Sequence, residues 1–225
     1  MRRLPYALGV SAVVVGMFCM TPPLQAEMYV AGQVGGNVPN LFSNVEGVGN
    51  LTGVTTSDLK LQDSLLYGAK LGYYFDSIKW LGVETEVFNS TPHLEQQVAT
   101  VSFGGASATG ILPGQSVRVL TWAPVNIVVR YQMGRLEPYA GVGLGVFFAN
   151  LKDGASGESS STTTVGFNAQ LGLRFKVTEN VTVFGEYKYN RANLEFSESS
   201  PTQQTGGFKG DYSANIVVGG VGYHF

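Results

Sequence analysis

Eight stretches of this sequence alternate apolar and polar side chains with a period of two residues. Because successive side chains of a β-strand point to opposite faces of a sheet, this alternation predicts strands and not helices. Segments rich in Gly, Ser, Thr and Asn separate the stretches, as expected for turns and loops. The predicted strands cover residues 28–36, 65–75, 80–90, 117–131, 136–149, 165–177, 181–194 and 212–225. The pattern predicts an all-β fold in one domain.

The two faces of each predicted strand differ in polarity. In 65–75 and 165–177 one face is apolar and aromatic, whereas the other carries Gly and charged or amide side chains. The longest stretch, 117–131, is expected to keep a single alternation throughout. Its odd positions then form the apolar face, and its even positions form a polar face that includes Arg118, Trp122, Asn126 and Arg130.

The connections between the predicted strands alternate in length. Residues 76–79, 134–135 and 178–180 form short turns, whereas 37–63, 91–116, 150–163 and 196–211 form long loops. Short turns at one end and long loops at the other are typical of outer-membrane barrels, and they place both termini at the short-turn, periplasmic side. The second long loop contains Val98, Val101 and Ile111, so we expect it to extend as a β-hairpin above the membrane.

The sheet is expected to close around itself in lipid. No water satisfies backbone groups inside a bilayer, so a sheet can span it only without free edges. We therefore predict an eight-stranded antiparallel up-and-down transmembrane β-barrel with its apolar face outward. Aromatic residues near the short turns resemble a membrane-interface girdle: Tyr73, Phe75, Trp80, Tyr131, Tyr139, Tyr223 and Phe225. The alternative is a soluble lipocalin-like barrel, in which the apolar face would line the interior.

The first 26 residues differ from the rest and predict a secretory signal peptide. Arg2 and Arg3 form a basic start, residues 7–20 are almost entirely apolar, and Ala26 offers a small residue for cleavage. The alternative, a membrane anchor, would need about 20 apolar residues. We expect residues 27–225 to form the mature barrel. Cys19 would leave with the signal peptide.

Charge and composition exclude several classes of partner and site. Losing Arg2 and Arg3 turns 14 basic residues against 16 acidic ones into 12 against 16, a net charge of about −4. This balance argues against a nucleic-acid partner. Without a cysteine, the mature chain has no disulfide or thiolate metal site. No His or Asp cluster has the spacing of metal ligands. Gly141, Gly143 and Gly145 lie within a strand and make no phosphate loop, so no cofactor motif is found.

Charged residues on the inward faces form the one concentrated chemical feature. They are Lys70, Glu84, Glu86, Arg118, Arg130, Glu137, Arg174, Glu186 and Lys188. A barrel of eight strands has room for little more than its own side chains, and unpaired buried charges are costly. We predict a paired network that fills the lumen, with a narrow polar path as the alternative.

Enzymatic roles have weak support in the sequence. Glu84 and Glu86 resemble a glycosidase pair, but they lie deep in the predicted lumen with basic neighbours. A lipid-modifying enzyme would need a nucleophile and a base near the outer lipid interface. His224 is predicted at the opposite end, and His93 lies in a loop beside Pro92. We expect no catalytic residue and no cofactor.

The sequence resembles the OmpA-like and opacity-type family of small outer-membrane barrels over residues 27–225. The resemblance rests on the alternating strands, the glycine-rich segment 139–145 and the ending Gly220-Val221-Gly222-Tyr223-His224-Phe225. In that family the terminal aromatic strand is recognised by the barrel assembly machinery, which implies this role for Gly220, Tyr223 and Phe225. Val218 departs from the pattern, which usually has a polar residue there. We expect a barrel domain alone, with no peptidoglycan-binding domain.

Three functions are therefore compared. The favoured one is a non-enzymatic protein of a Gram-negative-type outer membrane whose barrel contacts lipid and anchors long loops for envelope structure or adhesion through a surface ligand. The second is a narrow porin-like channel for small solutes or ions. The third is a lipid A-modifying barrel enzyme. Fold alone does not choose among them, because unrelated roles share this architecture.

Overall fold

The computed structural model describes residues 27–112, 114–153, 159–196, 199–200, 203–204 and 207–225. The predicted signal peptide, Cys19 included, lies outside these residues. Eight long strands form the barrel: β1 (Glu27–Pro39), β4 (Ser64–Phe75), β5 (Ile78–Ser90), β9 (Gln115–Arg130), β10 (Leu136–Asp153), β11 (Ser159–Lys176), β12 (Val181–Phe196) and β15 (Gly207–His224). Each pairs antiparallel with its neighbours, and β1 pairs with β15. The predicted closed, eight-stranded barrel is confirmed.

Shorter elements lie within or beside the long loops. They are β2 (Ser43–Val48), the 3-10 helix η1 (Gly49–Leu51), β3 (Val54–Thr56), β6 (His93–Leu94), β7 (Gln97–Phe103), β8 (Ala106–Leu112), β13 (Ser199–Ser200) and β14 (Gln203–Gln204). β2 pairs with β15, β3 with β2, and the β7–β8 hairpin with β3. The predicted hairpin in the second long loop is therefore confirmed. We call residues 40–63 and 91–112 the cap. Within the described residues no helix is long and apolar enough to cross a membrane.

The alternation of the barrel strands separates a polar lumen from an apolar outer surface. Outward residues such as Val34, Leu65 and Leu171 are exposed, whereas inward residues such as Lys70 and Glu186 are buried. This arrangement suits a lipid-facing surface and a lumen packed with its own side chains.

The structure leaves six of the seven residues predicted for the girdle outside the lumen. Their place at a membrane interface stays a prediction. Trp80, Tyr131 and Phe225 lie exposed on the outer surface near the short-turn end. Tyr139, in contrast, is buried inside the barrel. It lies two residues from both Glu137 and Gly141 on β10 and therefore faces inward as they do, so its assignment to the girdle was wrong.

Inward aromatic rings pack over glycines on neighbouring strands. Four directly opposed pairs show this arrangement: Tyr29–Gly72, Tyr74–Gly82, Tyr139–Gly172 and Phe184–Gly220. A Cβ atom added at any of these glycines would overlap the opposing residue. Glycine therefore makes room for the rings in a lumen too narrow for two side chains at one level.

Candidate functional site

The centre of the lumen holds five buried charges from three strands: Lys70, Glu84, Glu86, Glu186 and Lys188. Lys70 Nζ lies 2.8 Å from Glu186 Oε2 and 3.3 Å from Glu84 Oε1. Lys188 Nζ lies 2.8 Å from Glu186 Oε1 and also contacts Glu86. Each carboxylate therefore has a cationic partner, as burial at this depth requires.

Three carboxylates face two ammonium groups, and neutral donors complete their hydrogen bonding. Gln170 Nε2 donates to Glu84 Oε1 at 2.9 Å, and Asn168 Nδ2 donates to Glu86 Oε1 at 3.1 Å. The Tyr139 hydroxyl donates to Glu186 Oε2 at 2.7 Å, and the Tyr29 hydroxyl donates to Glu84. A dense hydrogen-bonded network of this kind fixes its side chains in place.

A second charged layer lies nearer the short-turn end. Glu137 accepts from Arg130 Nη1 at 3.3 Å and from Arg174 Nη1, so one carboxylate joins two guanidinium groups. Arg130 also pairs with Glu27. The Arg130 guanidinium carbon lies 3.5 Å from the centre of the Tyr74 ring, which adds a cation–π contact to the ion pairs.

Several of these contacts cross the whole lumen. β5 and β12 lie on opposite sides of the barrel, and Lys188 of β12 reaches Glu86 of β5. Arg174 of β11 donates to the Tyr74 hydroxyl of β4, again across the barrel, at 3.3 Å. Side chains from opposite walls therefore meet in the middle, and the arrangement braces the barrel.

The sequence matches a family model described as "Outer membrane protein beta-barrel domain" over residues 10–225. The chain belongs to this family. The assignment places the protein in the outer membrane of a Gram-negative bacterium. A comparison with curated protein sequences finds no match.

Solved outer-membrane proteins share the fold of this barrel. OprG of Pseudomonas aeruginosa is 14% identical, with a TM-score of 0.57, and the match covers 89% of this chain and 96% of that one. Neisserial surface protein A is 15% identical, with a TM-score of 0.51 and coverage of 89% and 99%. Ail, the attachment invasion locus protein of Yersinia pestis, solved with the heparin analogue sucrose octasulfate, is 14% identical, with a TM-score of 0.51 and coverage of 90% and 100%. At these identities the likeness concerns the fold alone.

Eight of the nine predicted lumen charges lie inside this outer-membrane barrel, and Arg118 does not. Arg118 is exposed on the outer surface. Compared with each of its two neighbouring strands, β9 contains one extra residue. This residue lies between Ala123 and Asn126 in the pairing with β5, and between Trp122 and Val125 in the pairing with β10. This β-bulge contains Pro124 and reverses the alternation, so the single alternation expected for 117–131 was wrong.

The bulge changes which residues of β9 face inward. On its long-loop side Val117, Val119 and Ala123 are buried, and Trp122 is exposed. On its short-turn side Asn126 and Arg130 point into the lumen as predicted. A proline in the middle of a strand is itself a sign of a bulge, because it cannot donate to the ladder.

The inward tyrosines and the contacts of the chain's terminal strands inside the lumen are not predicted from the alternation of the sequence. Tyr29 and Tyr74 are each 2% exposed and take part in the charged layers. Glu27 accepts from Arg130 and lies 2.7 Å from His224 Nδ1, which joins the first strand to the last. The glycines opposite the tyrosines are the sequence signal for these positions, since a small residue faces each ring.

The residues considered for catalysis in the sequence are two glutamates in the ion-paired lumen and two histidines that lie apart from them. Glu84 and Glu86 are buried at 1% and 2% exposure within the ion-paired network. His224 is buried against Thr182 at the short-turn end, and His93 is exposed in β6. Over the part of the chain that the structure describes, no group of three or more His, Cys, Asp or Glu side chains is arranged to hold a metal ion.

The predicted assembly signal lies in and just after β15. Gly220 faces Phe184 inside the barrel, and Tyr223 and Phe225 lie outside with their ring centres 5.1 Å apart. Recognition of these residues by the assembly machinery stays a prediction.

The cap is fastened to the barrel through Asp211 of β15. Its carboxylate accepts from Asn44 Nδ2 at 2.9 Å and from Asn193 Nδ2 at 3.2 Å, and Arg191 lies 3.5 Å away. The hydrogen bond from Asn44 is the main cause that holds the pKa of Asp211 below its usual value. Asn44 adopts a left-handed backbone with φ of 53°, a conformation that Asn tolerates better than most residues.

Proposed function

We propose that this protein is a non-enzymatic outer-membrane barrel that anchors a folded cap for contact with other surfaces. The observation that carries the proposal is that the first two long loops form hydrogen-bonded strands continuous with the barrel. In this proposal the short-turn end and both termini are periplasmic, and the cap lies outside the cell. The barrel assembly machinery would insert the chain by reading Gly220, Tyr223 and Phe225.

The β7–β8 hairpin supplies the surface best suited to such contact. Val98 and Ile111 are directly opposed across the hairpin and are 68% and 71% exposed. Exposed apolar neighbours of this kind mark interaction sites more often than isolated apolar residues do. We therefore assign adhesive contact with an apolar surface to this face of the hairpin.

A channel receives less support from the same geometry. Lys188–Glu86 and Arg174–Tyr74 contacts cross the lumen at two levels, and a conducting path would have to separate them. We expect planar-bilayer recordings of the refolded barrel to show no reproducible conductance. Likewise, lipid A incubated with the folded protein should remain unmodified.

Adhesion is tested with cells that display the protein and a double variant, Val98→Thr with Ile111→Thr. Threonine keeps the β-branched shape and removes apolar surface. We expect retention of cells on a hydrocarbon-coated surface to fall to that of cells without the protein. Retention on clean glass should not change.

The matched control is Ser107→Thr, on an exposed residue of the same hairpin. It should retain cells as the parent protein does, with equal amounts of heat-modifiable barrel at the surface. Undiminished retention by the double variant would contradict the proposed function.

A further inference from the structure

The junction of the barrel and the cap forms a partly open cavity of about 470 Å³. Its walls come from both parts: Val117 and Leu194 from the barrel, and Leu59, Leu94 and Ala99 from the cap. Protein interiors are close-packed, with few voids larger than a water molecule. Small-molecule sites, in contrast, have volumes of roughly 300–1,000 Å³, so this cavity has the size of a ligand site.

None of the described residues that line the cavity carries a charge. The walls are mainly Leu, Val, Phe and Ala, and the polar side chains among them are Thr56, Gln115, Ser160 and Tyr212. A charged ligand would lose its hydration here without gaining an ionic partner, at high cost. Apolar cavities of only about 150 Å³ already take up molecules such as benzene. The chemistry of the walls therefore selects an uncharged, mainly apolar molecule.

The cavity has a closed floor and an accessible margin. Tyr212 lines it and is 3% exposed, and its hydroxyl accepts from Asn37 Nδ2 at 3.4 Å at the boundary with the polar lumen. Val101 and Phe208 also line the cavity, yet they are 41% and 42% exposed. A ligand would therefore enter between the cap and the end of the barrel and stop above the charged layers.

The bulge at Pro124 is what keeps these walls uncharged. Because it reverses the alternation of β9, Val117 faces the cavity and Arg118 faces outward. Without the extra residue, Arg118 would take the inward position if the short-turn half of β9 kept its present faces. The wall belongs to the inner side of the barrel, so acyl chains of the surrounding bilayer do not contact it.

We propose that this cavity binds a small, uncharged, predominantly apolar molecule taken from the medium outside the cell. The site goes beyond the proposed function and uses the interior of the cap, whereas adhesion uses its exposed hairpin face. Gln115, which also lines the cavity, offers a hydrogen bond to a ligand that carries a hydroxyl or carbonyl group. The site holds its ligand and does not pass it through the lumen.

The test is methyl NMR of the protein in lipid nanodiscs, titrated with naphthalene and with naphthalene-2-sulfonate. We expect naphthalene to shift the methyl signals of Leu94, Val117 and Leu194 in a saturable manner. The charged analogue should produce no saturable shift there. The lipid-facing methyls of Val125 and Ile127 report partition into the bilayer and should respond linearly, if at all.

The variant that fills the site is Ala99→Phe, and its matched control is Ala108→Phe on an exposed position of the same hairpin. We expect naphthalene affinity to fall at least tenfold in the first and to stay unchanged in the second. The selectivity of the parent protein for naphthalene over its sulfonate tests the proposal even if Ala99→Phe does not fold.

Three outcomes would overturn this assignment: no saturable shift with naphthalene, equal shifts with both compounds, or unchanged affinity in a folded Ala99→Phe barrel. None of them bears on cell retention through Val98 and Ile111. Loss of retention in the hairpin variant with intact naphthalene binding would leave both proposals standing. Each proposal can therefore be contradicted without contradicting the other.

Discussion

The lumen and the interior of the cap adjoin within one barrel, yet they are built on opposite principles. In the lumen, ionised side chains pair with partners on facing walls, as Lys188 does with Glu86. In the cap, apolar side chains such as Leu59 and Leu94 surround a cavity. Charges need partners at fixed distances, whereas apolar contacts have no direction. The first region is therefore suited to bracing the barrel, and the second to accepting a ligand.

The boundary between these regions is set partly by one inserted residue. Before the bulge β9 directs Val117 and Val119 inward, and after it Asn126 and Arg130. With the residues that β9 has, one uninterrupted alternation would turn either Arg118 toward the cavity or Arg130 toward lipid. The bulge lets this strand supply apolar residues to the cavity and polar residues to the lumen.

Deleting Pro124 should have the largest effect. The deletion removes the extra residue, so either half of β9 must turn its side chains to the opposite face. Arg118 would enter the cap cavity, or Arg130 would leave Glu137 and face lipid. We expect no heat-modifiable barrel on a gel after refolding in detergent.

The control is Pro124→Ala, which keeps the residue count and should still refold. If the deletion variant refolds as well as the parent protein, the bulge does not set the boundary.

Breaking the central network is expected to have the next largest effect. Lys188→Met removes one cation from between Glu86 and Glu186, both at most 3% exposed. An uncompensated buried charge costs about 3–5 kcal/mol. Denaturant unfolding in lipid vesicles, followed by tryptophan fluorescence, should show a loss of this size in the free energy of unfolding.

Lys209→Met provides the comparison in the cap region. Lys209 pairs with Glu46 at 3.1 Å, and their side chains are 41% and 52% exposed. Because exposed pairs contribute at most about 1 kcal/mol, this variant should unfold nearly as the parent protein does. Equal losses in the two variants would refute the distinction between a braced lumen and a solvated cap surface.

These two regions also differ in how far the sequence predicts them. Alternation is a local property, so it predicts the inward face of most strands and hence the positions of Lys70, Glu84 and Glu186. The bulge depends on pairing with two neighbouring strands, and Pro124 was its only local sign. The cap cavity has no local signal, because Leu59, Leu94 and Leu194 come together only when distant segments pack.

The glycines opposite aromatic rings provide a test of how tightly the lumen is filled. A Cβ atom at Gly172 would overlap the ring of Tyr139, and overpacking typically costs about 1–3 kcal/mol. We expect Gly172→Ala to lower the free energy of unfolding by about this amount. At Gly185, which faces outward, a Cβ atom would meet nothing within 4 Å.

Gly185→Ala should therefore be neutral or slightly stabilising, because it restricts the unfolded chain. Equal effects of the two substitutions would show that the lumen has spare room beside Tyr139.

The smallest effect is expected where the cap is fastened at Asp211. Its lowered pKa means that the folded state favours the ionised carboxylate, so this stabilisation is present at neutral pH and is lost as pH falls below the ordinary carboxyl value. The group is largely solvated, so Asp211→Asn should cost only about 0.2–1 kcal/mol. The loss should be local, with faster amide exchange in β2 at pH 7 and unchanged exchange in the lumen strands. After correction for intrinsic rates, the parent protein should lose protection of β2 on acidification and the variant should not. Equal acid sensitivity of the two would mean that another group fastens the cap.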